Sequence, residues 1–248
     1  MSTEKRTLIK AKGSIPLYIQ IRDLFAAKIS AGEWPPGEII PSEVRLCRQL
    51  GVSQGTVRQA IGELVENNVL MRKQGLGTFV AHHDHERDLF HFFHIADRQG
   101  HKVLPDSETL SLRRKIAAKK EIEQLRLDEG AGVYVIRRIR KLDGRPTLLE
   151  TITLPEKPFA RLGELQAEHL PNTLYALYEK EFGVTIHRAD ERLHAVAAGA
   201  RDAGLLNIEP GTALLEIERI AYTLNGTPVE LRKSLCMTDR HHYQNTIW

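Results

Sequence analysis

Between Ser42 and Val80 a short helix, a glycine turn, a longer helix and a glycine-tipped hairpin follow one another, an order that few folds accommodate. Glu43 to Leu50 carries apolar residues at Val44, Leu46, Cys47 and Leu50, a spacing that lays a stripe along one face of a helix. Gly51 ends it. Ser42 and Ser53 stand where N-caps belong, with hydroxyls that can accept from the backbone N–H groups of the turn that follows. Val57, Ile61, Leu64 and Val65 then recur with helical period, which leaves Gln54, Gly55, Arg58 and Gln59 on the opposite side. Those side chains are small or hydrogen-bonding, not a row of carboxylates. The layout predicts a helix-turn-helix whose second helix enters a DNA major groove. Val69 to Lys73 and Thr78 to Ala81 read as strands bracketing Gln74-Gly75-Leu76-Gly77. That hairpin is a wing, in which two glycines let the tip adopt positive φ and approach a phosphodiester, with Arg72 and Lys73 beside it.

Upstream, a helix begins at Pro16 and carries Leu17, Ile21, Leu24, Phe25 and Ile29 on one stripe until Gly32 stops it. It is expected to pack behind the two motif helices, with Trp34 and Pro35-Pro36-Gly37 closing a small core. Downstream of the wing the composition turns to His82-His83-Asp84-His85-Glu86-Arg87-Asp88, which has no apolar face. The three histidines invite a metal reading, but a charged, solvated linker accounts for them, and neither a metal nor another cofactor is expected. The predicted division is a flexible basic tail over 1–13, a winged helix-turn-helix DNA-binding domain over 14–81, a linker over 82–93 and a second domain over 94–248.

A chain of 248 residues with 42% hydrophobic content has room for two real cores. It has no run of about eighteen apolar residues for a bilayer and no apolar core of signal-peptide length at its start, so a cytoplasmic protein is expected. Cys47 and Cys236 are distant and form no metal-ligand or redox spacing. Charge is unevenly placed: residues 1–81 hold 11 Lys and Arg against 7 Asp and Glu, whereas 82–248 hold 24 against 25. The positive excess lies on the module expected to meet DNA.

From Phe90 onward the pattern is α+β. Strands are predicted over Thr109–Leu112, Val133–Leu142, Thr147–Leu154, Arg192–Val196, Leu214–Tyr222 and Pro228–Cys236, and helices over Ala117–Leu127, from after Asn172-Thr173 through Phe182, and over Ala200–Leu206. Asp143-Gly144 and Asn225-Gly226 mark hairpins. An antiparallel sheet with helices laid against it accounts for the order. Period two puts Arg138 and Arg140 on one strand face and Arg137 on the other. Either an oxyanion ligand lies between the two guanidinium groups, or they form a solvent-facing strand paired with Glu150 or Glu230. The helix start at Thr173-Leu174-Tyr175, with unpaired N–H groups and a hydroxyl, favours the anion.

Taken together, Pro16-Leu17-Tyr18-Ile19-Gln20-Ile21, Gly32 to Gly37, Pro41-Ser42-Glu43, Val52-Ser53, Thr56 to Ala60 and Gly75 to Val80 closely resemble the winged-helix domain of GntR-type bacterial transcription regulators. The remainder is similar to the effector-binding (UTRA) domain of the HutC subfamily. It has an R-x-R strand, an Asp-Gly-x-Pro hairpin leading to Glu150, Thr173-Leu174-Tyr175, and Gly226 to Glu230 followed by Asp239-Arg240. The resemblance implies a chorismate lyase-like α+β effector domain. It implies DNA contacts from Ser42, Arg45, Ser53, Gln54, Gly55, Thr56, Arg58, Gln59, Gly75, Leu76, Gly77 and Thr78. It also implies an effector whose anionic end is held by Arg138, Arg140 and Thr173, and whose other polar groups meet Glu150, Leu174-Tyr175 and Glu230. Effectors in the subfamily include phosphorylated sugars and organic acids.

The chain departs from its relatives at Val44, Gln54 and Leu76, where cationic residues are common, and at Cys236, where tyrosine is common and the pocket is expected to differ. The implied function is a repressor that binds double-stranded operator DNA as a homodimer on an inverted repeat and is released by a small anionic effector. A lyase-like enzyme and an effector-independent DNA-binding dimer are the alternatives. No Ser-His-Asp set, metal spacing or phosphate loop supports catalysis.

Overall fold

The computed structural model describes residues 15–81, 92–102 and 105–246, and the chain divides into two units, Met1–His82 and His83–Trp248. The expected basic tail, nearly all of the expected linker, its histidines and Phe90 lie outside the described residues.

In the first unit, α1 (Leu17–Ser30), α2 (Glu43–Leu50) and α3 (Gln54–Glu66) precede a hairpin of β1 (Leu70–Lys73) and β2 (Gly77–Val80). Ser42 Oγ accepts from the Arg45 amide and Ser53 Oγ from the Thr56 amide, so both predicted caps form. Gly51 closes α2 with φ 71°, the left-handed position that glycine adopts without steric cost. Ile21, Phe25 and Ile29 of α1, Leu46 and Leu50 of α2, and Val57, Ala60, Ile61 and Leu64 of α3 are all buried, and α1 and α2 both pack on α3. The Arg22–Glu63 pair, at 2.9 Å, ties α1 to α3 at its margin. Val44 departs from the predicted stripe: it is 50% exposed, because a two-turn helix buries only one row, here Leu46 and Leu50. Gly77 has φ 127°, a backbone conformation that favours glycine.

The second unit is built on an antiparallel six-stranded sheet of order β4-β5-β6-β9-β8-β7, comprising β4 (Asp106–Ile116), β5 (Gly132–Leu142), β6 (Arg145–Pro155), β7 (Arg188–Ala197), β8 (Ala213–Tyr222) and β9 (Pro228–Cys236). Asp143 and Gly144 join β5 to β6 with φ 51° and 73°, the positive pair that a two-residue type I′ turn demands. On one sheet face α5 (Leu174–Phe182) and two short 3-10 turns cover Tyr134, Ile136, Ile152, Leu154, Phe159, Leu162 and Tyr178. On the other, α4 (Lys119–Leu125) lies near β9, and α6 (Ala200–Leu206) buries Ala203 and Leu206 against Ile139, Leu149 and Leu235. A small ladder of β3 (Ile95–Asp97) and β10 (His241–Tyr243) completes the unit.

The edge strands are longer than predicted: β4 runs from 106 to 116 rather than 109 to 112, and β7 from 188 to 197 rather than 192 to 196. Edge strands expose most of both faces, so their ends lack the apolar alternation by which strands are recognised. Phe25 is fully buried with its ring 5.2 Å from that of Trp34. Phe25→Ala is expected to remove about 3–5 kcal/mol from the first unit in urea denaturation. The second unit, with its own core, should keep its transition midpoint.

Candidate nucleic-acid interface and ligand cavity

The outward face of α3 presents Gln54, Gly55, Arg58 and Gln59, all exposed, and the wing tip presents Gly75, Leu76 and Gly77 beside half-buried Thr78. Leu76 is 67% exposed. Ser42, Arg45 and Ser53 are exposed at the helix starts, and Ser53 Oγ lies 2.8 Å from Thr56 Oγ1. One carboxylate organises this surface. Glu43 Oε2 accepts from Gln54 Nε2 at 3.2 Å and Arg58 Nε at 3.1 Å, while Oε1 lies 3.6 Å from Arg72 Nη2 on the wing. A single acid on α2 therefore holds together side chains of α3 and the hairpin. Amide and guanidinium side chains are the types that donate to base edges and phosphates.

In the second unit, registers across the sheet generate a polar band on the face that carries α5. Arg138 lies opposite Glu150 and Glu150 opposite Ser234; one row along, Ile152 lies opposite Arg232 and Arg232 opposite Arg219, which faces Glu191 on β7. The band runs between two apolar clusters of the same face, one around Ile136 and Tyr178 and one around Leu142, Leu148, Ile217 and Cys236. Arg138 and Arg140 are 2% and 4% exposed, so the solvent-facing strand is not what forms. Arg138 Nε donates to Glu150 Oε2 at 2.5 Å and its Nη1 to the Asn172 carbonyl at 3.2 Å. Arg232 Nη1 reaches Glu150 Oε1 at 3.4 Å. Burial alone would raise the Glu150 carboxyl; Arg138, Arg232 and Arg140 outweigh it and hold the group well below the usual carboxylate range.

Glu230 is fully buried and fully used. Its Oε1 accepts from Tyr175 Oη at 3.0 Å and Arg232 Nε at 2.9 Å, and its Oε2 from Tyr178 Oη at 2.8 Å and Arg232 Nη2 at 2.9 Å. Burial, reinforced by Glu230, raises both tyrosines, so they remain donors. Arg219 binds Glu191 at 2.7 Å through Nε and donates to the Phe92 carbonyl through Nη2. Arg140 is treated differently. It stands 3.6 Å from Glu150, its Nη2 makes a 3.4 Å contact with the Pro105 carbonyl, and its buried Nε has no partner among the described residues. Burial, with Arg138 beside it, pushes Arg140 down to about 9. It remains charged at neutral pH.

These groups meet at a cavity of about 40 Å³ lined by Phe92, Phe93, Arg138, Arg140, Asn172, Thr173, Leu174, Tyr175, Arg219 and Arg232. Thr173 is the N-cap of α5 and its side chain makes no capping bond. The Phe92 ring meets Tyr175 edge-on at 5.0 Å, and the Arg140 guanidinium sits 5.8 Å from the Phe93 ring centre. Of the residues expected to contact an effector, Arg138, Arg140, Thr173, Leu174 and Tyr175 share this wall. Glu150 and Glu230 lie behind it as counter-charges. Cys236 is buried in the Leu142–Ile217 cluster, off the wall, with its thiol pushed up to about 12 by burial. Asn172, Arg219 and Arg232 were not singled out by sequence. Arg219 and Arg232 stand in strands that also carry Glu216, Glu218, Glu230 and Lys233, so nothing in the local pattern set them apart. A larger cleft of about 540 Å³ opens on the opposite sheet face, beside Arg113, Arg137, Arg201 and Lys233. It is the weaker candidate: most of its cations are exposed and several are engaged in surface ion pairs, such as Arg114–Glu156 and Lys233–Glu216.

Residues 17–80 match the model of the gntR family of bacterial regulatory proteins, and residues 98–242 match that of the UTRA domain. The transcriptional repressor NagR of Bacillus subtilis is 30% identical over 96% of this chain and 99% of its own length. The repressor MngR of the mannosyl-D-glycerate transport and metabolism system of Escherichia coli is 27% identical over 93% of this chain and 95% of its own. A solved chain described as the ligand-binding domain of a GntR-family regulator from Bordetella bronchiseptica is 36% identical and covers 64% of this chain and 98% of its own, with a TM-score of 0.57. No helix among the described residues is long and apolar enough to cross a membrane. With a DNA-facing winged helix in one unit and a sheet-floored cavity in the other, this chain belongs to the GntR family of transcription regulators, in the UTRA-bearing architecture of the HutC subfamily, and is a DNA-binding protein rather than an enzyme.

Proposed function

We propose that this protein is a ligand-responsive repressor that works in the cytoplasm, binds an inverted-repeat operator as a homodimer and is released by a small anionic effector. Support for the DNA half comes from the exposed set Gln54, Arg58, Gln59 and the Gly75–Gly77 tip, gathered around Glu43. Two copies on a duplex would place their recognition helices about one helical turn apart. The observation that carries the ligand half is Arg140, a buried cation with an unpartnered Nε on the wall of a cavity. Thr173, at the start of α5, adds a hydroxyl and the helix N-terminus beside it. The relative named for mannosyl-D-glycerate deals with an anionic carbohydrate, which fits that wall.

The cavity also supports a route for the signal. At about 40 Å³ it is far smaller than the roughly 300–1,000 Å³ of ordinary ligand pockets. Phe92 and Phe93 occupy its mouth, and they follow in sequence the stretch that joins the two units. An effector enters by displacing these rings, and Arg219 loses its hold on the Phe92 carbonyl as it turns to the ligand. The free energy of binding is thereby coupled to the segment leading to the DNA-binding unit.

In a gel-shift assay at low salt the chain should retard DNA from upstream of its own coding region, and absence of retardation overturns the proposal. Arg58→Ala should weaken that complex and make the log affinity against log salt plot shallower by about 0.9, one phosphate contact. In the second unit, Glu150→Gln leaves three guanidinium groups without their shared counter-ion and should cost about 3–5 kcal/mol of stability in chemical denaturation. A thermal-shift screen of sugar phosphates and organic acids should find a ligand that adds roughly 2.7 kcal/mol at 100 times its dissociation constant. A screen in which no anion moves the melting temperature favours the effector-independent dimer.

A further inference from the structure

Glu43 is the first residue of α2, where Ser42 caps the helix, and its side chain is only 22% exposed, against 62% for Arg58 and 49% for Arg72. Both of its oxygens are engaged, Oε1 by Arg72 of β1 and Oε2 by Gln54 and Arg58 of α3, so the carboxylate is pinned from two sides. A carboxylate between two guanidinium groups accepts hydrogen bonds and does not donate them. That settles the Gln54 amide. Its nitrogen has to face Glu43 at 3.2 Å, because the reverse orientation sets oxygen against oxygen, and its Oε1 is left for another partner. Arg58 meets the same oxygen through Nε at 3.1 Å, and neither its Nη groups nor Gln54 Oε1 has a partner among the described residues. The exposed face of α3 thus offers the acceptor end of an amide and the forked end of a guanidinium.

Resting on the reading of α3 as the helix that enters the major groove, we propose that Glu43 determines base specificity without touching DNA. By holding the Gln54 amide nitrogen it presents Gln54 to the bases as an acceptor, and by holding Arg58 Nε it presents the Nη pair. In the major groove only cytosine N4 and adenine N6 offer donors, whereas guanine N7 and O6 and thymine O4 accept. The base facing Gln54 is therefore adenine or cytosine, not guanine or thymine. The Nη pair of Arg58 suits guanine O6 and N7. An amide released from Glu43 turns over and offers its donor end equally well, so the choice between the two kinds of base is lost. Docking on DNA excludes water from these contacts and strengthens the hold of Glu43. A carboxylate that merely repelled phosphates would act otherwise, weakening all sequences alike.

The test is a selection from randomised duplexes with the full chain, followed by affinity measurements on the selected site with each of the four bases at every position. Gln54→Ala identifies the position that Gln54 reads, as the one whose preference disappears. There the wild-type chain should favour adenine or cytosine over guanine or thymine by about tenfold. Glu43→Asp keeps the charge and the acidic first turn of α2 but withdraws the carboxylate by about 1.5 Å, one carbon–carbon bond. It should reduce that preference to within about twofold. Glu43→Ala should do the same and also tighten binding to unselected duplexes, since a negative charge is gone. Melting of each variant establishes that it is folded. A wild-type preference for guanine or thymine at that position, a Gln54→Ala variant that keeps every preference, or a preference that survives either Glu43 variant would overturn the role of Glu43. A wild-type chain that selects no sequence at all would instead remove the reading of α3 as the helix in the groove.

Discussion

A carboxylate buried among guanidinium groups sets the terms for the second unit. Taking an ion out of water costs several kcal/mol even after relaxation, and only close opposite charge recovers it. Glu150 recovers it from Arg138, Arg232 and, at longer range, Arg140. Glu230 and Glu191 do the same for Arg232 and Arg219. On that face, four guanidinium groups meet three carboxylates, and the uncompensated charge falls on the arginine with the poorest contacts. At an effective dielectric of about 20, a unit charge 4 Å from such a group gains about 4 kcal/mol. On the proposed reading, the sheet is folded around a place that an anion completes.

The same face shows how far a sequence can be read. The turn, caps, recognition helix and wing of the first unit are written in residues that act over three or four positions, such as Ser42, Gly51, Ser53 and Gly77, and local chemistry makes them legible. Arg138 and Arg140 were legible as a pair because strand period alone puts them on one side. What they face was not legible. Whether Arg232 and Arg219 stand beside them depends on β9 lying between β6 and β8, and strand order in a sheet is a long-range outcome that no window of sequence contains. Burial of Arg138, and its bond to the Asn172 carbonyl, follow from that order. The polar edge strands β4 and β7 were shortened in reading for a related reason, since exposure on both faces erases the alternation that marks a strand.

In the first unit Glu43 performs by hydrogen bonding what the sheet performs by burial. Its two oxygens gather Gln54 and Arg58 of α3 and Arg72 of β1, so long side chains that would otherwise sample many rotamers share one origin. The arrangement is exposed and therefore soft. Phosphates compete for the same donors, and ionic strength screens both interactions over about 8–10 Å.

The rings of Phe92 and Phe93 at the mouth of the cavity have a consequence for sensitivity. A pocket open only a fraction of the time binds with an apparent dissociation constant divided by that fraction, whatever its contacts once filled. On the proposed reading, the edge-on contact of Phe92 with Tyr175 and the stacking of Phe93 on Arg140 set the dose at which the regulator responds. Recognition and threshold are then separately adjustable. On that reading, positions 92 and 93 can shift the working concentration range while the arginines and Thr173 keep the same chemical preference.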